Sequence, residues 1–185
     1  MRFLFRRAAP LLAISFLTIL LAAPVKAAGL ENTLYLDLKD GRVTIEMRPD
    51  LAPRHVARIK ELVRKGFYDG LPFHRVIGGF MAQTGDPKGD GTGGSGVKLP
   101  AEFSNEPHVR GTLSMARSSS PNSADSQFFI VFAKSQWLDG QYTVWGKVID
   151  GMEHVGRIKR GDKSRNGAVT DPDRIIKMQM ASDAK

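Results

Sequence analysis

Cysteine is absent from the 185-residue chain, which excludes disulfides, thiolate nucleophiles and cysteine-ligated zinc. A thiol-free chain suits an oxidising exterior, but it must then be held together by its core alone. The run "LLAISFLTILLAA", Leu11 to Ala23, is thirteen residues long, short of the roughly 20 that a membrane-spanning helix needs. The nucleophile elbow G-x-S-x-G is missing too: "GGSGV" around Ser95 fails at its last position and lies in a stretch that reads as a floppy loop. No Gly-Lys-Ser/Thr follows the glycines that tempt a phosphate-loop reading, and Asp86 and Asp90 lack calcium-loop spacing and a closing glutamate. No metal and no cofactor is therefore expected. There is also no internal repeat, low-complexity tract or linker that would divide the chain.

What is present begins with a positively charged start. Arg2, Arg6, Arg7 and Lys26 flank the short apolar run, and Val25 and Ala27 supply small residues of an A-x-A-like processing site. The expectation is a signal peptide over residues 1–27, cleaved after Ala27, with a single domain over 28–185 and a periplasmic destination; the alternative is an uncleaved anchor. Without those four cations, 23 basic residues face 19 acids, a charge of +4, too mild to argue for nucleic acid. With 42% hydrophobic and 25% charged residues, the remainder reads as one soluble globular unit large enough for its own core.

Along that unit, "TLYLDLKDGRVTIEM" alternates apolar and polar residues about a turn at Asp40-Gly41, the mark of a β-hairpin. "APRHVARIKELVRKG" places Val56, Ile59, Leu62 and Val63 at helical spacing behind Pro53 and ahead of Gly66. Its basic face, Arg54, Arg58, Lys60, Arg64 and Lys65, reads as solvated. Short strands are expected in "LPFHRVI", "FMAQT", "GTLSMA", "SQFFIVFA" and "YTVWGKVI". A second helix is expected around Met152, Val155 and Ile158, and a last strand alternating Ile176, Met178 and Met180. Six glycines crowd residues 85–96. Many short strands with two helices far apart favour an antiparallel barrel or sandwich. His55, His74, His108 and His154 read as surface or hydrogen-bonded structural residues rather than catalysts.

One segment does not fit a purely structural reading. "FHRVIGGFMAQTGD", residues 73–86, combines the large apolar residues Phe73, Val76, Ile77, Phe80 and Met81 with Arg75 and Gln83, and a charge in apolar company needs water, a partner or a task. Followed by "GDGTGG", "GTLSMAR", "SQFFI" and "WLDGQYTVWGKV" in that order, it resembles the cyclophilins, the family of peptidyl-prolyl cis-trans isomerases, from about Thr33 to Ala181. The connection "KLPAEFSNEPHVRGTLSMAR" is similar to the bacterial branch.

The resemblance implies a mainly β fold, an eight-stranded antiparallel closed barrel capped by two α-helices. It also implies an isomerase acting on X-Pro bonds of unfolded or flexible polypeptides, and a monomer is expected. On the residues themselves it implies Arg75 as the catalytic cation, held by Gln83, with Phe80 beside it. Phe80, Met81, Phe129 and Leu138 become the floor under the substrate proline. Ala116 and Arg117 lie along the substrate chain, the Arg117 backbone N–H meeting the carbonyl before proline. Gln127 adds a polar contact, and Trp137 and Tyr142 form the rim. Trp137 is the residue that this family associates with the inhibitor cyclosporin. Tyr142 and Arg117 stand where the best-known eukaryotic members have histidine and asparagine. The competing reading is a non-catalytic cyclophilin-like module that grips proline peptides without turning them over.

Overall fold

The computed structural model describes residues 29–184; the expected signal peptide falls outside the described residues. Eight antiparallel strands form one curled sheet in the order β3-β4-β6-β5-β7-β2-β1-β8. β1 (Thr33–Leu38) and β2 (Gly41–Met47) make the expected hairpin, with Leu38 opposite Gly41. The two turn residues are therefore Lys39 and Asp40, one position earlier than the sequence suggests. β3 (Arg75–Ile77) and β4 (Met81–Thr84) form a second hairpin, followed by β5 (Thr112–Met115), β6 (Phe128–Val131), β7 (Val144–Asp150) and β8 (Lys177–Met180).

The end strands β3 and β8 do not pair with each other. The curl is completed by the irregular segment 167–176. Val76 N–H donates to Gly167 O (2.8 Å), Val169 N–H to His74 O (3.0 Å), Phe73 N–H to Asp173 O (2.9 Å) and Ile176 N–H to Asp37 O (2.9 Å). This stitching also corrects the last strand's phase. Ile176 is 61% exposed while Ile175 is fully buried, so the inward alternation begins only at Met178.

Inside the curl, alternate residues build the main core: Leu34, Leu36 and Leu38; Val43, Ile45 and Met47; Leu113 and Met115; Phe128 and Ile130; Trp145; Met178 and Met180. Each fully buried side chain of this size contributes about 1.5–3 kcal/mol. Helix α1 (Pro53–Arg64) covers one mouth with Val56, Ile59, Leu62 and Val63, and α2 (Met152–Arg157) adds Val155.

Helix α1 begins with Pro53 in its first turn and no side-chain cap from Ala52. Its unsatisfied N–H groups are met from far along the chain instead. The buried Glu102 carboxylate accepts from Arg54 N–H (3.2 Å) and His55 N–H (3.0 Å), and also lies 2.6 Å from His55 Nδ1. An anion at a helix N-terminus is favoured by the helix dipole as well as by these bonds. Burial holds the His55 ring below the ordinary histidine range despite Glu102. Burial also works against the charge of Glu102, but hydrogen bonds from His55 and Arg54 outweigh it and hold the carboxyl below its ordinary value. The neutral ring thus donates Nδ1–H to a charged carboxylate.

Candidate active site

Strands β4, β5 and β6 are buried on both faces, which a strand covered on one side only would not be. In β6, Phe128 and Ile130 enter the main core, so the period of two sends Phe129 and Val131 to the outer face. There they join Met81 and Leu138 in a second apolar cluster, with Ile77, Phe80, Ala116 and Tyr142 packed around it. The continuous run "FFIV" is therefore explained by two cores rather than one.

Register brings the polar residues to the same face. Arg75 pairs with Gln83, Gln83 with Phe129, and Phe129 with Ser114, one row across four strands. The next row on that face is Ile77, Met81 and Val131. A polar and an apolar row thus run side by side on one face.

The Arg75 guanidinium is half-buried and, among the described residues, has no carboxylate partner. Its Nη1 donates to Gln83 Oε1 (3.1 Å), Nε to the Asn166 carbonyl (3.0 Å) and Nη2 to Asn166 Oδ1 (3.0 Å). Burial lowers its pKa from the ordinary arginine value, partly offset by Tyr142; an arginine keeps its charge across the working pH range nonetheless. Three of the five guanidinium N–H groups are engaged, leaving one on each terminal nitrogen.

The amide chain behind it has only one workable orientation. Arginine can only donate, so Gln83 turns its oxygen to Arg75 and its Nε2 to Gln127 Oε1 (2.9 Å). Gln127 Nε2 then ends the chain on two carbonyls, Gly91 O (3.0 Å) and Gly93 O (2.8 Å), which can only accept. The loop that carries them is well anchored, a correction to the floppy reading. Buried Asp86 accepts from the N–H groups of Lys88, Asp90 and Gly91, and Asp125 accepts from those of Ser95 and Gly96 and bonds the Ser95 hydroxyl. At Gly93 a Cβ would lie 2.0 Å from Asp86 Oδ1, so this close approach demands glycine.

The rest of the rim falls into place around this pair. Trp137 is 61% exposed and tilts against Phe80, ring centroids 5.6 Å apart. Tyr142 meets Phe129 edge-on at 5.7 Å. The Arg117 guanidinium stacks 4.5 Å over the Tyr142 ring and donates to the carbonyls of Gln141, Ser118 and Ser119. Among the described residues its backbone N–H has no acceptor. Two clefts adjoin the Arg75–Gln83 pair and Arg117. One of about 530 Å³ runs past Gln83, Ala116, Arg117 and Gln127, and one of about 590 Å³ past Arg75, Gln83, Arg117 and Asn166.

Two residues contribute to this site in ways the sequence does not reveal. Asn166 sits in the left-handed region (φ 53°) ahead of Gly167, where a Cβ would meet Ile77 at 2.5 Å. Its Asn-Gly pair signals a turn, but nothing local says that the turn reaches Arg75. His108 braces the floor from below. Its backbone N–H and Nδ1 both bond Asp139 Oδ1 (2.8 Å each), Nε2 bonds the Ser114 hydroxyl (2.8 Å), and its ring stacks beneath Phe129. Those bonds from His108 also hold the Asp139 carboxyl below its ordinary value. His108 and His55 thus meet the hydrogen-bonded expectation. His74 does not: it is buried with neither ring nitrogen partnered among the described residues, and burial lowers its pKa.

Comparison with known proteins points the same way. Residues 33–180 match the family model described as cyclophilin type peptidyl-prolyl cis-trans isomerase/CLD. A probable peptidyl-prolyl cis-trans isomerase of Brucella suis biovar 1 is 59% identical over 171 residues, covering 86% of this chain and 87% of its own. Peptidyl-prolyl cis-trans isomerase B of Bacillus subtilis is 44% identical over 134 residues, covering 71% and 93%. Among solved structures, a cyclophilin of Hirschia baltica superposes with a TM-score of 0.75 at 28% identity, covering 84% of this chain and 76% of that one. A Cryptosporidium parvum cyclophilin-type isomerase, crystallised in the presence of the dipeptide Ala-Pro, gives 0.73 at 30% identity, covering 80% and 98%.

Proposed function

The chain belongs to the cyclophilin-type peptidyl-prolyl cis-trans isomerases, and from that premise we propose how its own residues turn the bond. Rotation about a peptide bond meets a barrier of about 18–20 kcal/mol because the C–N bond has partial double-bond character. At the twisted geometry the proline nitrogen regains its lone pair and becomes an acceptor. A fixed donor there binds the twisted amide better than the planar one, and only such differential binding accelerates the step. Arg75 supplies the donor.

The observation that carries this reading is the incomplete engagement of the guanidinium. Neutral amide and carbonyl groups of Gln83 and Asn166 fix its plane, and one N–H on each terminal nitrogen is left over. A carboxylate partner would compete for the charge; neutral partners orient it instead. Met81, Phe129 and Leu138 form the floor for the pyrrolidine ring, with Phe80, Trp137 and Tyr142 at its margin. The unpaired Arg117 N–H receives the carbonyl before proline, and Gln83 with Gln127 stiffens the catalytic edge. No nucleophile, metal or cofactor enters the step.

The partners are proline-containing unfolded or flexible polypeptides, a reading supported by the Ala-Pro dipeptide named with the C. parvum relative. Cyclosporin is the proposed inhibitor through exposed Trp137. The proposed enzyme is a monomer; its charged start and short apolar run support export to the periplasm and removal of residues 1–27. The direct test is a protease-coupled or NMR exchange assay on an X-Pro tetrapeptide, with and without cyclosporin. Accelerated exchange that cyclosporin suppresses is expected. Tight peptide binding without acceleration would favour the non-catalytic module.

A further inference from the structure

Both clefts are net basic, and the cationic side chains of the 530 Å³ one are not used by the isomerisation chemistry. Lys88, Lys98 and Arg117 line it, together with a single carboxylate, Asp125. That carboxylate is already committed: one oxygen accepts from Ser95 N–H (2.8 Å), the other from Gly96 N–H (3.0 Å). Among the described residues neither Lys88 nor Lys98 forms an ion pair, and both are exposed. Arg117 meets only carbonyl oxygens and the Tyr142 ring. Two further acids stand close by: buried Asp86 accepts from the N–H groups of Lys88, Asp90 and Gly91, and Asp90 lines the neighbouring cleft and is tied to Thr92 through N–H (2.8 Å) and hydroxyl (2.7 Å).

The cleft is also in the path of a client chain. Ala116 borders both it and the apolar floor, and Gln83, which pairs with Phe129 of that floor, lines it as well. A peptide whose pre-proline carbonyl lies at the Arg117 N–H runs on past Ala116 toward the lysines, at roughly 3.3 Å per extended residue. Side chains two and three residues before the proline therefore reach the cleft. Its glycine-rich wall is pinned by Asp86 and Asp125, so the cations are presented by a fixed frame.

From this geometry we infer that the enzyme selects clients carrying an acidic residue two or three positions before the proline, read by Lys88, Lys98 and Arg117. The inference rests on the proline-isomerase reading of the apolar cleft. It has a sharp test because exposed charges act through a screened field, steering encounter more than holding the complex. NMR exchange rates would be measured on peptides with Glu, Gln or Lys two, and separately three, residues before proline.

The expected result is a preference of Glu over Lys of about fivefold in kcat/KM at about 20 mM salt, shrinking below about twofold at 0.5 M. A Lys88→Glu, Lys98→Glu double variant is expected to erase or reverse that ratio. Because the ratio is read within one enzyme preparation, loss of folded protein cancels. Normal turnover of the Gln peptide with no charge preference, or a preference that survives in the double variant, would overturn the inference. Failure to turn over the Gln peptide would instead sink the isomerase reading and take this inference with it.

Discussion

Two groups of cations in this molecule are treated in opposite ways. On helix α1, Arg54 meets Glu102 (3.1 Å), Arg58 and Lys65 share Glu61 (2.7 and 2.6 Å), and Arg64 meets Asp183 (2.9 Å), while Lys60 donates to Asn32. Around the apolar cluster, Arg75 and Arg117 meet neutral oxygens and, for Arg117, the Tyr142 ring, and Lys88 and Lys98 form no ion pair among the described residues. Carboxylates neutralise the first group and hold the helix down. Amides and carbonyls orient the two arginines of the second group without neutralising them, so their charge remains available to an incoming chain.

The contrast breaks most visibly at Glu102. Glu102→Ala removes the acceptor for two helix N–H groups and the buried His55 ring, and is expected to cost about 3 kcal/mol in urea melts. Turnover per folded molecule should stay unchanged. Buried histidines set an acid limb. His55 and His74 have lowered pKa values in the fold, so as pH falls through about 6.5 the unfolded chain takes up protons that the folded chain refuses. Stability present above that pH is progressively lost below it. Glu102, also lowered, adds a second loss below its ordinary value of 4.5. Melts at pH 7.5, 5.5 and 4 should show this order, and a flat profile would contradict it.

A smaller effect is expected on the other side of the comparison. Asn166→Gly keeps the backbone carbonyl and the left-handed turn but removes Oδ1. It should lower kcat by about tenfold, about 1.4 kcal/mol, with KM steady. A rise in KM alone would assign Asn166 to binding. Smallest of all, Arg64→Ala breaks an exposed pair and should move stability by no more than about 1 kcal/mol and activity not at all. A larger change in either would erase the distinction between the two groups.

How much of this was legible in the chain depends on range. The β1/β2 hairpin and helix α1 could be read because period and turn residues lie within a dozen positions. The Arg75–Gln83 pairing was also within reach, since the Gly78-Gly79 turn places the two opposite each other on neighbouring strands. Ile176 was assigned to the wrong face because the pull of Asp37 O on its N–H, which shifts the strand's phase, comes from β1. His108 and Asn166 stayed hidden for the same reason: their partners lie 31 and 91 residues away. The anchored glycine loop depends on Asp125, 30 residues beyond Ser95. Secondary structure and the site's residue types are local facts; which acceptor faces which donor is a property of the closed curl.

The central claim is that a rigid, charged fork at position 75 stabilises the twisted amide. Exchange of a short X-Pro peptide, measured by NMR for the parent and for Arg75→Lys, tests it most directly, with a heteronuclear spectrum of each to verify the fold. Lysine keeps the charge and loses the planar donor pair. The account predicts a fall in kcat of about 100-fold with KM within about threefold. Turnover by the lysine variant within about threefold of the parent would contradict it.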